Sequence, residues 1–309
     1  MPLDIQAIVC AVDFSPFSPL VVSHGASVAR RAGVPLYLVH AVHNPQDGAH
    51  PTAVFERGGG LTHHTNEARR KIDALMAPFP IEWEAVVRFG DPVEQMIAFV
   101  DSLPPCLVVS ASHGISGFRR LFIGTVVERL TRKLARPMLV VKPSEKGNHA
   151  DPKAFRTAVI SCDGYGHWQR LAGLLELLQT DIGAAIHLVH TLEDPPADVL
   201  EDENGATYGR VQQNQIEKLD HNLREQGRRQ FSHAAAIGVT VQPGVPQEMA
   251  LRVCRERSSD LIVVGVRHSA KVGRWLSGST TETLLRHSPC CVLTVPEPEA
   301  SKRRGRTGP

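Results

Sequence analysis

Cysteine is scarce, with six residues in a chain of 309, and none of them stands in a Cys-x-x-Cys pair. That spacing excludes a thioredoxin-type redox motif and gives a structural zinc site no support. Five of the six lie within or beside apolar runs, which reads as free buried thiols in a reducing compartment. The neighbours Cys290 and Cys291 sit in a strand-like run, where adjacent side chains point to opposite faces, and this argues against a vicinal disulfide. Charge of one sign is also missing. Lys and Arg total 34 against 32 Asp and Glu, a net charge of +2, too little to draw the surface onto a phosphate backbone, so no nucleic-acid partner is expected. Long apolar runs are absent: Cys106-Leu107-Val108-Val109 and Leu261-Ile262-Val263-Val264 fall far short of a membrane helix. The start, Met1-Pro2-Leu3-Asp4, carries an acid where a signal peptide carries bases, and the expectation is a cytoplasmic protein without a membrane partner.

What is present is ordinary globular composition, 42% hydrophobic and 21% charged, in a length that suggests two domains. The chain reads as one unit written twice. Ile8-Val9-Cys10-Ala11-Val12-Asp13 returns as Ala158-Val159-Ile160-Ser161-Cys162-Asp163, and His40 returns as His190, both at an offset of 150. Gly90-Asp91-Pro92 pairs with Gly244-Val245-Pro246, and Gly124-Thr125 with Gly278-Ser279, at 154. The second copy therefore holds about four extra residues, assigned to a longer loop and helix between Asp194 and Gly238. Domains are expected at 1–144 and 153–297, with a polar linker at Pro143 to Pro152 and a disordered basic tail at 298–309.

In the first copy, strands are expected over 6–12, 35–42, 81–87, 106–111 and 137–142, mostly as unbroken apolar runs of the kind covered on both faces. Between them the helix starts are legible. Ser18-Pro19 predicts a cap followed by a first-turn proline, and Asp91-Pro92-x-Glu94 predicts a capping box. Strand and helix alternating five times predicts an open parallel α/β sheet, with a ligand beyond the carboxyl ends of the strands where their order reverses.

After the fourth strand comes Ala111-Ser112-His113-Gly114, then Gly124-Thr125 opening a helix. A glycine-containing loop at a helix start offers free N–H groups and the positive end of a dipole to an anionic phosphate. From chemistry alone an ordinary strand-to-helix turn stands equally. Other motifs carry less. Gly273-x4-Gly278-Ser279-Thr280 lacks the lysine of a Walker A loop, and no strand end is expected before it. His187 and His190 face opposite ways on a strand, and His63-His64 reads as a solvated polar loop, so no metal site is expected. Ser15, Asp13 and His113 form no arguable triad, and no catalytic residue is assigned.

These residues resemble the universal stress protein family in its tandem form, whose signature is Gly-x2-Gly-x9-Gly-Ser/Thr. The first copy reads Ala111-x2-Gly114-x9-Gly124-Thr125 and the second Gly265-x2-His268-x9-Gly278-Ser279, each keeping the spacing and losing one glycine. The resemblance spans about Asp4 to Pro296 and implies two tandem Rossmann-like domains of the adenine nucleotide alpha hydrolase type. Each is an open five-stranded parallel sheet of order 3-2-1-4-5 with helices on both faces. It further implies ATP or another adenine nucleotide as ligand, with Mg2+ accompanying it. By position, Asp13 would lie by the adenosine and the backbone near Val42 at the adenine edge. Ala111 and Gly114 would line the ribose and phosphates, while Gly124, Thr125 and Val126 would hold the phosphates. The second candidate site is Asp163, Leu192, Gly265, His268, Gly278, Ser279 and Thr280. The methyl of Ala111 can be accommodated if its φ is negative. The imidazole of His268 stands where the backbone should approach phosphate, blocking the site unless a protonated ring pairs with the anion, so the first copy is favoured.

The function so implied is a stress-response sensor that binds nucleotide and is read by a regulatory protein. The last strands of the two copies would pair as an internal dimer, Met138-Leu139-Val140-Val141 against Cys291-Val292-Leu293-Thr294, and a homodimer of whole chains is a further arrangement. The alternatives are a nucleotide-free interaction scaffold with both sites degenerate, and a slow ATPase.

Overall fold

The computed structural model describes residues 4–42, 60–112, 124–143, 155–162, 168–179, 184–192, 208–269, 274–276 and 279–296. The proposed linker and the basic tail lie almost wholly outside them. The first half runs β1 (Ala7–Ala11), α1 (Ser18–Ala32), β2 (Leu36–Val42), α2 (Gly60–Met76), β3 (Trp83–Phe89), α3 (Pro92–Asp101), β4 (Cys106–Ala111), α4 (Thr125–Lys133) and β5 (Met138–Val141). The second runs β6 (Thr157–Ser161), α5 (Trp168–Leu178), β7 (Ala185–Leu192), α6 (Tyr208–Gln230), β8 (Ala236–Pro243), α7 (Pro246–Glu256), β9 (Leu261–Ser269), β10 (Arg274–Leu276), α8 (Ser279–His287) and β11 (Cys291–Pro296).

The sheet order is β3-β2-β1-β4-β5-β11-β9-β6-β7-β8, two five-stranded parallel units joined through their last strands. Alternate residues of each central strand enter opposite cores. Ile8, Cys10, Leu107, Val109, Leu139 and Leu293 pack under α1, α2, α5 and α6, whereas Val9, Val108, Val140 and Val292 pack under α3, α4, α7 and α8. This period of two with apolar residues on both faces is why the strands read as unbroken hydrophobic runs.

The helix starts are set locally. Asp91 caps α3, its Oδ1 accepting the N–H groups of Val93 and Glu94 at 3.0 and 3.1 Å, with Pro92 in the first turn. The other expected cap differs: Ser18 is the first helical residue of α1, Phe17 is its N-cap without a side-chain bond, and the Ser18 hydroxyl donates to Asp13 instead. A short polar side chain already inside the helix is free to serve a neighbouring turn. His63 and His64 lie exposed in the first turns of α2, not in a loop. Gly90 and Gly244, 154 residues apart, take φ of 121° and 129° at matching turns before α3 and α7, a region that L side chains rarely adopt. Their N–H groups donate to the carbonyls of Val42 and Leu192, both at 3.1 Å.

At the seam β5 and β11 run antiparallel, with Val140 opposite Val292, Leu139 opposite Leu293 and Met138 opposite Thr294. Covering these two edges removes a template for aggregation. Beside it the repeated residues pair reciprocally. Arg132 meets Glu128 at 2.7 Å and Glu282 at 3.3 Å, while Arg286 meets Glu282 at 2.8 Å and Glu128 at 3.3 Å. Because Glu128 and Arg132 recur as Glu282 and Arg286 at one offset, the contact has the self-complementary form of a twofold dimer.

On the opposite face α1 reaches the second half. The half-buried His24 ring stacks on Phe155, 5.7 Å between centroids, and Arg31 Nε donates to the carbonyl of Leu177 at 3.2 Å. Burial, and then the Arg31 charge, pull the His24 imidazole down to about 4. Unfolded, it titrates near 6.5. Between those values the unfolded chain binds the extra proton, so stability is complete above about pH 6.5 and falls as pH drops towards 4, by at most about 3 kcal/mol given residual solvent at the ring. His40, His187 and His233 are also lowered, chiefly by burial, and add to the trend. Urea midpoints at pH 7 and pH 4.5 should show the loss, and His24→Leu should reduce it. An unchanged slope in the variant would assign the acid sensitivity elsewhere.

Candidate functional site

The order of the first unit reverses at β1, whose neighbours β2 and β4 belong to opposite directions of winding. At the carboxyl ends of these strands lies a cavity of about 460 Å3, within the range of small-molecule sites. Val12 and Asp13 enter it after β1, His40 and Val42 from β2, Ala111 from β4, and Gly124 to Val127 from the start of α4. Six of the seven positions expected for the first copy, Asp13, Val42, Ala111, Gly124, Thr125 and Val126, thus border one space. The seventh, Gly114, lies outside the described residues, as does His113.

Each wall has a local cause. Asp13 Oδ1 accepts the Ser15 N–H at 2.9 Å and the Ser18 hydroxyl at 3.1 Å, which ties the turn after β1 to the start of α1. Ser15 is spent in the same turn, its Oγ accepting the Phe17 N–H at 3.3 Å. Ala111 ends β4, and among the described non-glycine residues only Phe14 and Ser258 have positive φ, so the methyl is carried by ordinary strand backbone. Gly124 is the N-cap of α4 and donates its N–H to the carbonyl of Ser112 at 2.9 Å. The first-turn N–H groups of α4 have no acceptor within the helix, so a partial positive charge faces the space that Thr125 and Val126 border. Arg129 grips Asp91 with two nitrogens at 2.7 and 3.2 Å and holds α4 to the capped start of α3. Partial burial works to raise the Asp91 carboxyl, but Arg129 and the Glu94 and Val93 N–H groups outweigh it and keep it below the usual carboxylate range.

His40 is the wall residue that the sequence reading did not assign. Its Nδ1 lies 2.8 Å from the carbonyl of Val12, which makes Nδ1 the donor and leaves Nε2 as an acceptor when the ring is neutral. Burial lowers its pKa against the opposing pull of the Val12 bond and the Asp13 charge. Phe14, at φ 59°, packs its ring 4.3 Å from the imidazole. The signal was in the repeat: His190, at the same place in the second copy, makes the same bond to Cys162 at 2.7 Å.

The sequence profile of the universal stress protein family matches residues 4–142 and 167–296. The chain belongs to this family. A universal stress protein of Methanocaldococcus jannaschii is 24% identical over 143 residues, 46% of this chain and 84% of that one. One from Mycolicibacterium smegmatis is 29% identical over 136 residues, 44% of this chain and 97% of the relative. Over the full length, the crystal structure of a universal stress protein from Archaeoglobus fulgidus superimposes with a TM-score of 0.65 at 17% identity, covering 96% of this chain and 99% of the other, a likeness of fold.

The second universal stress protein domain departs from the first after its fourth strand. β9 passes straight through Gly265 and His268 to Ser269 and pairs antiparallel with β10, His268 opposite Trp275, and this hairpin lies against α4 of the first domain. The expectation that no strand end precedes Gly273 is corrected here, since β9 runs to Ser269. The ladder puts residues 274–276, within the span of the Walker-like spacing, in a strand. Thr281 Oγ1 donates to the Gly265 carbonyl at 3.4 Å, and Thr280 Oγ1 to Gln247 at 3.1 Å, so both hydroxyls already have partners. Leu192 ends β7 and Ser279 opens α8, while Asp163 and Gly278 lie outside the described residues. His187 and His190 face apart, His187 bonding to Thr240 at 2.8 Å. Among the described residues no three His, Cys, Asp or Glu side chains gather as a metal site, and no helix is long and apolar enough to cross a membrane.

Proposed function

We propose that the first domain, residues 1–144, binds an adenine nucleotide, ATP accompanied by Mg2+, and that its occupancy biases a surface read by a regulatory protein in the cytoplasm. The protein acts as a stress-response sensor and not as a turnover enzyme. The observation that carries this reading is the cavity at the β1/β4 switch point, where a helix start whose first-turn N–H groups have no acceptor within the helix, a hydroxyl and a glycine border the space together with His40 and Val42. An anion at the helix start and an apolar heterocycle at the strand end suit those two walls. The β9–β10 hairpin and the partnered hydroxyls of Thr280 and Thr281 favour the first domain, residues 153–297 serving as its internal partner.

The test begins with protein purified without added nucleotide, denatured, and its released small molecules identified by mass. Calorimetry then compares ATP binding to the parent and to Thr125→Ala. Losing a hydroxyl bond to a charged phosphate costs about 1.5 to 3 kcal/mol, so affinity should fall roughly tenfold or more. No released adenine compound together with no heat at millimolar ATP would reject the reading.

A further inference from the structure

Cys254, in the last turn of α7, and Cys290, one residue before β11, bring their Sγ atoms to 3.4 Å across a gap of 36 residues in sequence. Elsewhere the thiols keep apart: Cys10 directs its S–H to the Val21 carbonyl, and Cys162 to that of Ile160. Cys291 enters the opposite core from Cys290, so it takes no part in the pair.

The surroundings suit thiol chemistry. Ser288 Oγ lies 3.4 Å from Cys290 Sγ and also bonds the Cys290 backbone, donating to its carbonyl at 2.8 Å and accepting its N–H at 3.2 Å, which fixes the residue carrying the sulfur. Lys142, following β5 across the seam, donates to the carbonyl of Ser288 at 2.8 Å. The contact with Cys290, and then Arg255 and Lys142, favour the thiolate of Cys254 and lower its pKa against burial and the Asp260 charge. Burial and the contact with Cys254 hold the proton on Cys290, although either sulfur can donate in that contact and the Cys254 Sγ also lies 3.8 Å from the Ser259 carbonyl. One sulfur is thus prepared to attack and its neighbour to resolve.

We infer that Cys254 and Cys290 form a peroxide-responsive dithiol that closes to a disulfide within the second domain, tying the end of α7 to the head of the seam strand β11. The Cys254 thiolate attacks one oxygen of hydrogen peroxide. An S–O bond forms, the O–O bond breaks and hydroxide leaves, to be protonated by solvent. The Cys290 sulfur then displaces hydroxide from the sulfenyl sulfur. The S–S bond forms, the S–O bond breaks, and the Cys290 proton departs with the hydroxide as water. Two thiols lose two electrons and peroxide is reduced to two waters. The sulfurs must approach by about 1.4 Å to reach disulfide length. Cys290 is 9% exposed and Cys254 1%, so bulky reagents are excluded and the pair calls for an oxidant as small as hydrogen peroxide. This proposal is independent of nucleotide binding.

The test uses the native full chain. Protein is treated with hydrogen peroxide at neutral pH, quenched with catalase, denatured in N-ethylmaleimide to cap remaining thiols, digested without reductant and analysed by mass spectrometry. The expected product is a Cys254–Cys290 linked peptide pair, with the other four of the six cysteines capped and all six capped after dithiothreitol. In Cys290→Ser, peroxide treatment followed by denaturation in dimedone should label a sulfenic acid on Cys254. Recovery of Cys254 and Cys290 as capped thiols in the treated parent, or as separate sulfinic acids, would overturn the proposal, and so would disulfides spread among the other cysteines.

Discussion

Gly124→Asp should reduce ATP affinity a hundredfold or more without unfolding the protein. Gly124 is the N-cap of α4, and its φ of −59° and ψ of 137° are open to any residue. Asp is a preferred N-cap, so the substitution keeps or strengthens the helix. The same carboxylate would occupy the end of the cavity assigned to phosphate. At about 4 Å and an effective dielectric constant near 20, two like charges repel by about 4 kcal/mol, and partial solvent screening still leaves a loss of two orders of magnitude. Gly124→Asn supplies an equally good cap without charge and should lose far less. Calorimetry with ATP, run beside urea unfolding of each variant, separates the effects. Parent-like affinity in Gly124→Asp would move the phosphate away from α4.

Gly25→Ala should destabilise the fold by roughly 2 kcal/mol or more, although alanine is the better helix former. A Cβ at Gly25 would lie 2.1 Å from Cys10 Sγ, 3.4 Å from Leu36 Cδ1 and 3.7 Å from Ile8 Cγ2. Cys10 is wholly buried on β1, and burial pushes its thiol well above the ordinary range. The helix-propensity gain is about 1 kcal/mol, whereas overpacking a close-packed core costs about 1 to 3 kcal/mol and occasionally more. A contact this short belongs at the upper end. Cys10→Ala removes the sulfur, so the double variant Cys10→Ala/Gly25→Ala can place one methyl where the sulfur stood. Urea unfolding of all four proteins should give a coupling energy near 2 kcal/mol. Additivity within about 0.5 kcal/mol would show that α1 moves aside without cost.

Much of the fold was legible because the features that define it are local. The first five strands lie within about two residues of the runs expected from apolar patterning. Asp91-Pro92 marked a helix start that the side chain of Asp91 does cap. Ser18-Pro19 had the same appearance but not the same role, since a nearby carboxylate, Asp13, took the hydroxyl. The first candidate site was expected from a glycine-containing helix start after the fourth strand together with the positions that the family resemblance implied. His40 escaped because a histidine in a strand has no motif of its own, and only its repetition at His190 pointed to a shared bond.

The sequence by itself determined the duplication, the alternation of strands and helices, and the place after the fourth strand of the first half where a ligand was expected. Hydrophobic period, capping and turn chemistry act over a few residues and are written directly in neighbouring side chains. Only the tertiary structure decided the register of β5 against β11, the reciprocal arginine and glutamate pairs beside it, the β9–β10 hairpin that closes the second domain differently from the first, and the meeting of Cys254 with Cys290. Those contacts join residues up to about 160 positions apart. Their distances follow from how whole helices settle on a twisted sheet, a balance of packing among many side chains that no short stretch of sequence contains.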